Sequence, residues 1–568
     1  MGEIRPEVTL KTKDNYLWFV YSEKVTGLRL VCLKDLQTKT ILTTPLANPE
    51  KRVASHKAWA GARHSRAPGR PWEIMQQMGE KGVDPDKKLE TTFKTYGHAS
   101  VGDMASIQID FVDIPMHLGF SLFNLSSINS GQEKSSRYQE RFGDAVLHDI
   151  SNYFSSHFSS DKLSGLNEKY QEFGNLSLSL FAKHKIILTE AFTKHFKPKN
   201  EKQKKSLESR VLDCVRFFLL IGQDTSLSFE TSARDWVRII SNLKASPVFY
   251  YQKVGFQLER LLTPDVNEEK RLGYKAEAPS LIRFTEGLYT TNDNLKKLKR
   301  YIETETDLLN KVFVNPEEPK YKSQKVDMIG SEFSVSEKMV AQYLLTLWPS
   351  LEKKQLLKWV KNQRKKTKRE IGKIIFKCHS HHCELSDLAA TTDITFIMEG
   401  FFGETLRDLN RHRAWGRFGS LPLVYGLPMD KMLLTQILSK GYGIPLYLTE
   451  VKSFSKQKRE FIHDLRMYYK KLTSFIREIE KEYKSVKDFS FVVNLIPMAH
   501  KCELWMHGNP KQALYLTQLR TRYGGHINYR DLAYKANLLV ANSDPYLSSM
   551  RLKNKPNPRS KREFFERS

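Results

Sequence analysis

The chain has 568 residues, too many for one ordinary hydrophobic core, and its 40% hydrophobic and 11% aromatic content excludes a disordered polymer. Lys and Arg number 91 against 64 Asp and Glu, and the formal charge of +27 favours anionic partners without choosing among nucleotides, nucleic acid and a charged surface. Five scattered cysteines, Cys32, Cys214, Cys378, Cys383 and Cys502, argue for a reducing compartment and against a disulfide framework.

In chain order, residues 1–45 form an N-terminal β-rich extension, with the strand-like runs Tyr16–Tyr21 and Leu28–Leu33. The N-terminal stretch Met1–Glu7 lacks an apolar signal core, and no apolar run approaches the ~18 residues needed to cross a bilayer. The expectation is a cytoplasmic protein without a membrane partner. Residues 46–264 read as a first mixed helix-and-strand domain. Residues 265–330 are polar and Pro-punctuated, with Asn315-Pro-Glu-Glu-Pro-Lys320, and read as a linker with some helix inside. Residues 331–550 read as a second mixed domain, and 551–568 as a basic tail that frays. Within the second domain, Lys353–Lys373 holds ten basic residues and one acidic one, with Leu356, Leu357, Val360, Ile371, Ile374 and Ile375 at helical spacing. The simple reading is a helix with a buried face and a solvated basic face. The alternative is a nucleic-acid or phosphate-steering patch.

An internal repeat organises the chain. His98-Ala-Ser100-Val-Gly-Asp103 precedes the strand-like Ala105–Phe111, and His382-Cys-Glu-Leu-Ser-Asp387 precedes Thr392–Phe396. Arg216 leads to Ser232 after 16 residues, and Val493 leads to Asn509 after the same interval. Two divergent copies of one domain are the simplest account. Three cationic or titratable side chains then close the apolar run Asp393–Asn410, namely Arg411-His412-Arg413. Such a cluster is costly to bury without anionic partners, and guanidinium groups grip phosphate bidentately.

In this context the tripeptide resembles the Arg-His-Arg signature of flavin-dependent thymidylate synthases, and both copies are similar to that family over about three-quarters of the chain. The first copy has Leu125-Ser126-Ser127 where Arg-His-Arg is expected, yet keeps Ser130-Gly-Gln132-Glu133-Lys-Ser135-Ser-Arg137-Tyr138. The second copy keeps Arg-His-Arg but carries Trp415-Gly-Arg417-Phe-Gly-Ser420 in place of the serine–arginine motif, and Val493 in place of Arg216. It also keeps Asn509-Pro-Lys511, Leu519-Arg520 and Gly525-His526-Ile-Asn-Tyr-Arg530. The losses are complementary, so the two halves are expected to share a composite pocket.

The resemblance implies an α/β (α+β) fold of two tandem thymidylate synthase-like domains. The activity it implies is reductive methylation of dUMP to dTMP, with FAD as cofactor and NADPH and methylenetetrahydrofolate as co-substrates. It implies that Ser130, Gln132, Glu133, Ser135, Arg137, Arg216 and Arg520 bind the nucleotide. Arg411, His412, Arg413, His98, Ser100, Asp103, Arg234, Asn509 and His526 would bind the flavin, and Arg520 and His412 would act in catalysis. Because the family's sites form between subunits, a homodimer forming a pseudo-tetramer is the expected assembly. The alternatives are an inactive or repurposed flavin- or nucleotide-binding homologue, and a nucleic-acid-binding protein on the same scaffold.

Cys378-His-Ser-His-His-Cys383 has the composition of a zinc cluster, but no second ligand pair lies nearby and no metal is expected. No Gly-x-Gly-x-x-Gly or Walker-type loop occurs.

Overall fold

The computed structural model describes residues 6–22, 29–46, 52–64, 68, 70, 73, 76, 80–96, 99–126, 129–134, 147, 160–286, 289–312, 317–329, 332–376, 394–410, 412, 415–419, 421, 428–484, 486–508, 510–543 and 551–566. They form a mixed helix-and-sheet protein of two compact units, each discontinuous in sequence. The first holds Met1–Lys134 and Asp224–Leu288, and the second holds Ser135–Gln223 and Tyr289–Ser568. These divisions do not follow the contiguous domains expected from the sequence. The segment between Ser135 and Gln223, assigned to the first domain, belongs to the second unit.

The first unit is built on a seven-stranded sheet in the order β1-β2-β3-β4-β5-β7-β6. Its strands are β1 (Val8–Lys11), β2 (Tyr16–Ser22), β3 (Arg29–Asp35), β4 (Ile41–Leu46), β5 (Ser106–Pro115), β6 (Asn129–Glu133) and β7 (Asp224–Ser232). The β-rich extension is therefore not a separate appendage. Ile41 of β4 pairs with Val112 of β5, which joins the four N-terminal strands to the rest of the sheet. β5 and β7 alternate buried and exposed residues as one-sided strands do. Helices Met116–Leu125, Ala233–Lys244 and Phe249–Leu262 pack on the sheet. The indole N–H of Trp236 donates to Ile107 O at 3.0 Å, and the Gln257 amide donates to Leu33 O and Thr40 O.

The second unit holds a four-stranded antiparallel sheet in the order β10-β11-β9-β8. Its strands are β8 (Lys325–Ile329), β9 (Ile394–Phe401), β10 (Gly416–Gly419) and β11 (Lys501–Gly508). Helix Ile527–Ser543 packs against β8 and β9. Two long helices, Ser160–Phe196 and Ser455–Glu482, run antiparallel, tied by Lys471–Glu172 at 2.8 Å and Lys183–Asp464 at 2.7 Å. Phe173 packs between Tyr468 and Phe475 along this seam.

Residues 265–330 are more structured than a linker. They carry helices Val266–Leu272, Tyr289–Glu305 and Leu308–Val312 as well as β8. Asp265 closes a capping box with Glu268 at the first of these helices. Leu295, Leu298, Ile302, Leu308 and Val312 join one buried cluster with Leu356, Leu357, Val360, Ile371 and Ile375. The basic run thus forms two helices, Lys353–Lys361 and Lys365–Phe376, with their apolar faces inside.

The described residues of the C-terminal tail, 551–566, pack against the protein, contrary to the expected fraying. Helix Lys561–Phe565 is capped by Ser560, and Phe564 stacks on Phe196 with ring centroids 3.7 Å apart. Glu563 pairs with buried Arg530 at 2.8 Å, and Arg210 donates to Phe564 O.

Candidate functional site

Two neighbouring strands of the second unit deliver the side chains. β9 ends at Phe401, and the backbone continues as a wide π-type turn over Phe402–Leu406 and a short helix Arg407–Leu409. The amides of Phe402 and Gly403 donate to His500 O and Met498 O, at 3.1 and 3.2 Å, which pins this turn to the loop ahead of β11. Turns of this kind recur at functional sites. The His412 amide then donates to Leu409 O, and the Trp415 amide to His412 O. β11 feeds helix Pro510–Arg520, of which Arg520 is the last residue.

The two meet. Arg520 Nε donates to His412 Nε2 at 2.6 Å. The Nε2 lone pair is therefore engaged, and the imidazole proton sits on Nδ1. Burial, with the Arg520 and Arg417 guanidiniums beside it, pushes the His412 pKa down to about 3, so the ring is neutral at ordinary pH. The Arg520 guanidinium lies 5.6 Å from the Tyr529 ring centroid, a cation–π contact. Arg520 is half-buried, and among the described residues its Nη groups make no hydrogen bond or ion pair. A neutral histidine and an aromatic face thus hold a guanidinium by one edge and leave the other for an oxygen acceptor, such as a carbonyl or a phosphate.

Arg216 belongs to the same unit. Its Nη2 lies 3.5 Å from Asp408 Oδ2, and both side chains are buried. Asp408 precedes His412 by four residues, so an arginine from the first half of the chain contacts the short helix Arg407–Leu409 that leads to His412. Arg216 is buried beside Asp408, so an external phosphate reaches it only through an opening of the surrounding core. His526 is fully buried. Its Nε2 lies 3.0 Å from Asp213 O, its Nδ1 accepts the Asn528 amide at 3.1 Å, and its ring stacks on Phe217. Both ring nitrogens are occupied, leaving none for a flavin.

In the first unit, Asp103 and Arg234 form an exposed ion pair at 3.1 Å, a contact of the kind worth ~0–1 kcal/mol. Ser130 and Gln132 are exposed on the edge strand β6, with the half-buried Glu133 at its end. Ser126, where the family has Arg-His-Arg, is buried and donates to Asp235 Oδ2 at 2.9 Å. Ser126 thus sits in a hydroxyl–carboxylate network with Thr231 and Asp235. Ser135, Arg137, Arg411, Arg413, His98 and Asn509 lie outside the described residues, as does the side chain of Ser100. The Cys378–Cys383 stretch lies outside them too.

The motifs gave Asp408, Arg417 and Tyr529 no role at the site. Each stands inside a segment the motifs marked, so position along the chain was a signal. Their contacts depend on how β9 and β11 pair.

No protein-family model matches the chain, and no curated protein matches it. Among solved structures it is similar to the crystal structure of thymidylate synthase X from Helicobacter pylori with FAD and dUMP. The identity is 13%, over 40% of this chain and 94% of that one, with a TM-score of 0.23.

Proposed function

We propose that this chain is a flavin-dependent thymidylate synthase-like enzyme, a tandem duplication that converts dUMP to dTMP. FAD is its cofactor, and methylenetetrahydrofolate and NADPH are its co-substrates. The observation that carries this reading is the Arg520–His412 contact at 2.6 Å, which joins the two residues expected to act in catalysis from motifs 108 positions apart. The order of elements agrees with a duplication. β5 pairs antiparallel with β7 as β9 pairs with β11, and a helix follows each of these four strands.

The chemistry suits the residues. A bound reduced flavin supplies a hydride. Arg520, oriented by His412, offers donors to a pyrimidine carbonyl and stabilises negative charge that develops on the ring. His412 stays neutral and positions the guanidinium rather than giving up a proton. Arg411 and Arg413 flank it in sequence and supply charge for the flavin phosphates. Arg137 and Ser135 supply the phosphate grip of the nucleotide. The working assembly is a homodimer arranged as a pseudo-tetramer.

A second reading is a repurposed flavin- or nucleotide-binding homologue without turnover. It is favoured by the burial of Arg216 against Asp408 and by the full engagement of His526. One experiment separates the two. Purified protein is loaded with FAD and assayed for dUMP-dependent NADPH oxidation and dTMP formation. Turnover that disappears in both Arg137→Ala and Arg413→Ala supports the composite enzyme. Flavin binding without turnover supports the second reading, and absence of both flavin and dUMP binding sinks the two together.

A further inference from the structure

A cavity of about 290 Å³ in the second unit lies away from the residues assigned above. Its floor is the sheet face where Lys325 of β8, Glu399 of β9 and Glu503 of β11 stand opposite one another in register. Two carboxylates directly across adjacent strands repel, so this floor needs cations. Lys353, at the start of its helix, pairs with both Glu399 and Glu503. Lys501 pairs with Glu399 at 2.8 Å, and Lys440 pairs with Glu503. Three lysines thus share two carboxylates. In this field the Glu399 carboxyl is held down to about 2 and that of Glu503 is lowered as well.

Two further lysines line the cavity without a carboxylate of their own. Lys322 is half-buried and donates to Ser439 O at 3.2 Å, and among the described residues neither it nor the exposed Lys325 forms an ion pair. The other carboxylates on the wall are committed elsewhere. Glu352 caps its helix by accepting the amides of Lys354 and Gln355, and Glu317 pairs with Lys320. Burial and the neighbouring Lys501 lower the pKa of Lys322, so a bound anion would favour its charged form. The space is that of roughly ten waters, ample for a phosphate or pyrophosphate group.

We propose that this cavity is an anion site, in which a phosphate or pyrophosphate group, free or carried on a small molecule, sits between Lys322 and Lys325 with the Lys353–Lys440–Lys501 cluster behind it. Neither Arg520 nor His412 lines the cavity, so the proposal stands apart from the thymidylate synthase-like reading.

The test is calorimetric titration of the full chain with inorganic phosphate, pyrophosphate and adenosine monophosphate. The titrations are repeated on Lys322→Ala, Lys325→Ala and, as control, Lys368→Ala, whose lysine pairs with Glu337 outside the cavity. The expected result is saturable binding weakened roughly tenfold or more by each cavity variant, the scale of a hydrogen bond to a charged group, and unchanged by the control. Thermal unfolding of each variant checks that folding is retained, and Arg520→Ala is expected to bind pyrophosphate as the parent does. Tighter binding of the monophosphate than of phosphate identifies a nucleotide-like ligand, and equal or weaker binding identifies the free anion. No saturable binding, or binding that falls equally in the control, overturns the site.

Discussion

At the scale of single residues, the site rests on a guanidinium whose direction is set by a neutral imidazole. On the proposed thymidylate synthase-like function, Arg520→Ala is expected to lower turnover by ~10²–10³-fold, the usual loss when one preorganised donor is removed from a developing anion. Arg520→Lys is expected to recover little, because an ammonium cannot both satisfy His412 and present a planar pair of donors. Steady-state kinetics on dUMP measure both. The buried histidines also give the protein an acid-sensitive range. His412, His500 and His507 are each held down to about 3, chiefly by burial. In the unfolded chain they return to ~6.5. Their contribution is complete above that value and is lost as pH falls toward 3, at up to about 1.4 kcal/mol per pH unit for each ring. Urea midpoints between pH 7.5 and 5 are expected to fall, and His507→Gln to flatten the slope. The carboxylates Glu399 and Glu503 add the same sign only below their ordinary range of ~4.5, so the upper part of the window belongs to the histidines. A flat midpoint across that upper part would exclude neutral buried imidazoles.

At the scale of elements, close backbone contacts decide what the chain tolerates. A Cβ on Gly222 would lie 2.4 Å from Asn494 Cα and 2.6 Å from its carbonyl oxygen, where the Ile221 and Gly222 amides donate to Ile496 and Asn494. Backbone cannot rotate away as a side chain can. Gly222→Ala is therefore expected to destabilise by ~1–3 kcal/mol or more, read as a lowered thermal midpoint. The tail helix Lys561–Phe565 gives a second case. Glu563→Ala removes the carboxylate facing buried Arg530, and losing one partner of a buried pair costs roughly 3–5 kcal/mol. A tail that frayed, as composition suggested, would leave stability unchanged. Lys- and Arg-rich composition says nothing about two phenylalanines, Phe564 and Phe565, that find an aromatic cluster on helix Ser160–Phe196.

At the scale of the whole molecule, the compact units cross the sequence boundaries. The second unit draws helices Ser160–Phe196 and Glu201–Val215 from the first half of the chain, and its buried cluster includes Leu295 and Leu298 from the supposed linker. A fragment of residues 331–550 is therefore expected not to fold alone, since it exposes the face of Ser455–Glu482 that Ser160–Phe196 covers. Circular dichroism and amide dispersion of that fragment provide the check. A cooperative unfolding transition in it would restore the contiguous domain.

The sequence alone determined what local chemistry determines. Alternation marked strands near Tyr16 and Ala105, and helical spacing gave the buried Leu356–Ile375 face. Tertiary structure decided which of those residues touch. The 2.6 Å contact of Arg520 with His412, the burial of Arg216 against Asp408 and the closure of both His526 nitrogens follow from antiparallel pairing of β9 with β11 and from the helices around them. Spacing along a chain fixes the face on which a side chain stands. Only packing against distant segments fixes whether its charge meets a ligand, a counterion or the protein's own backbone.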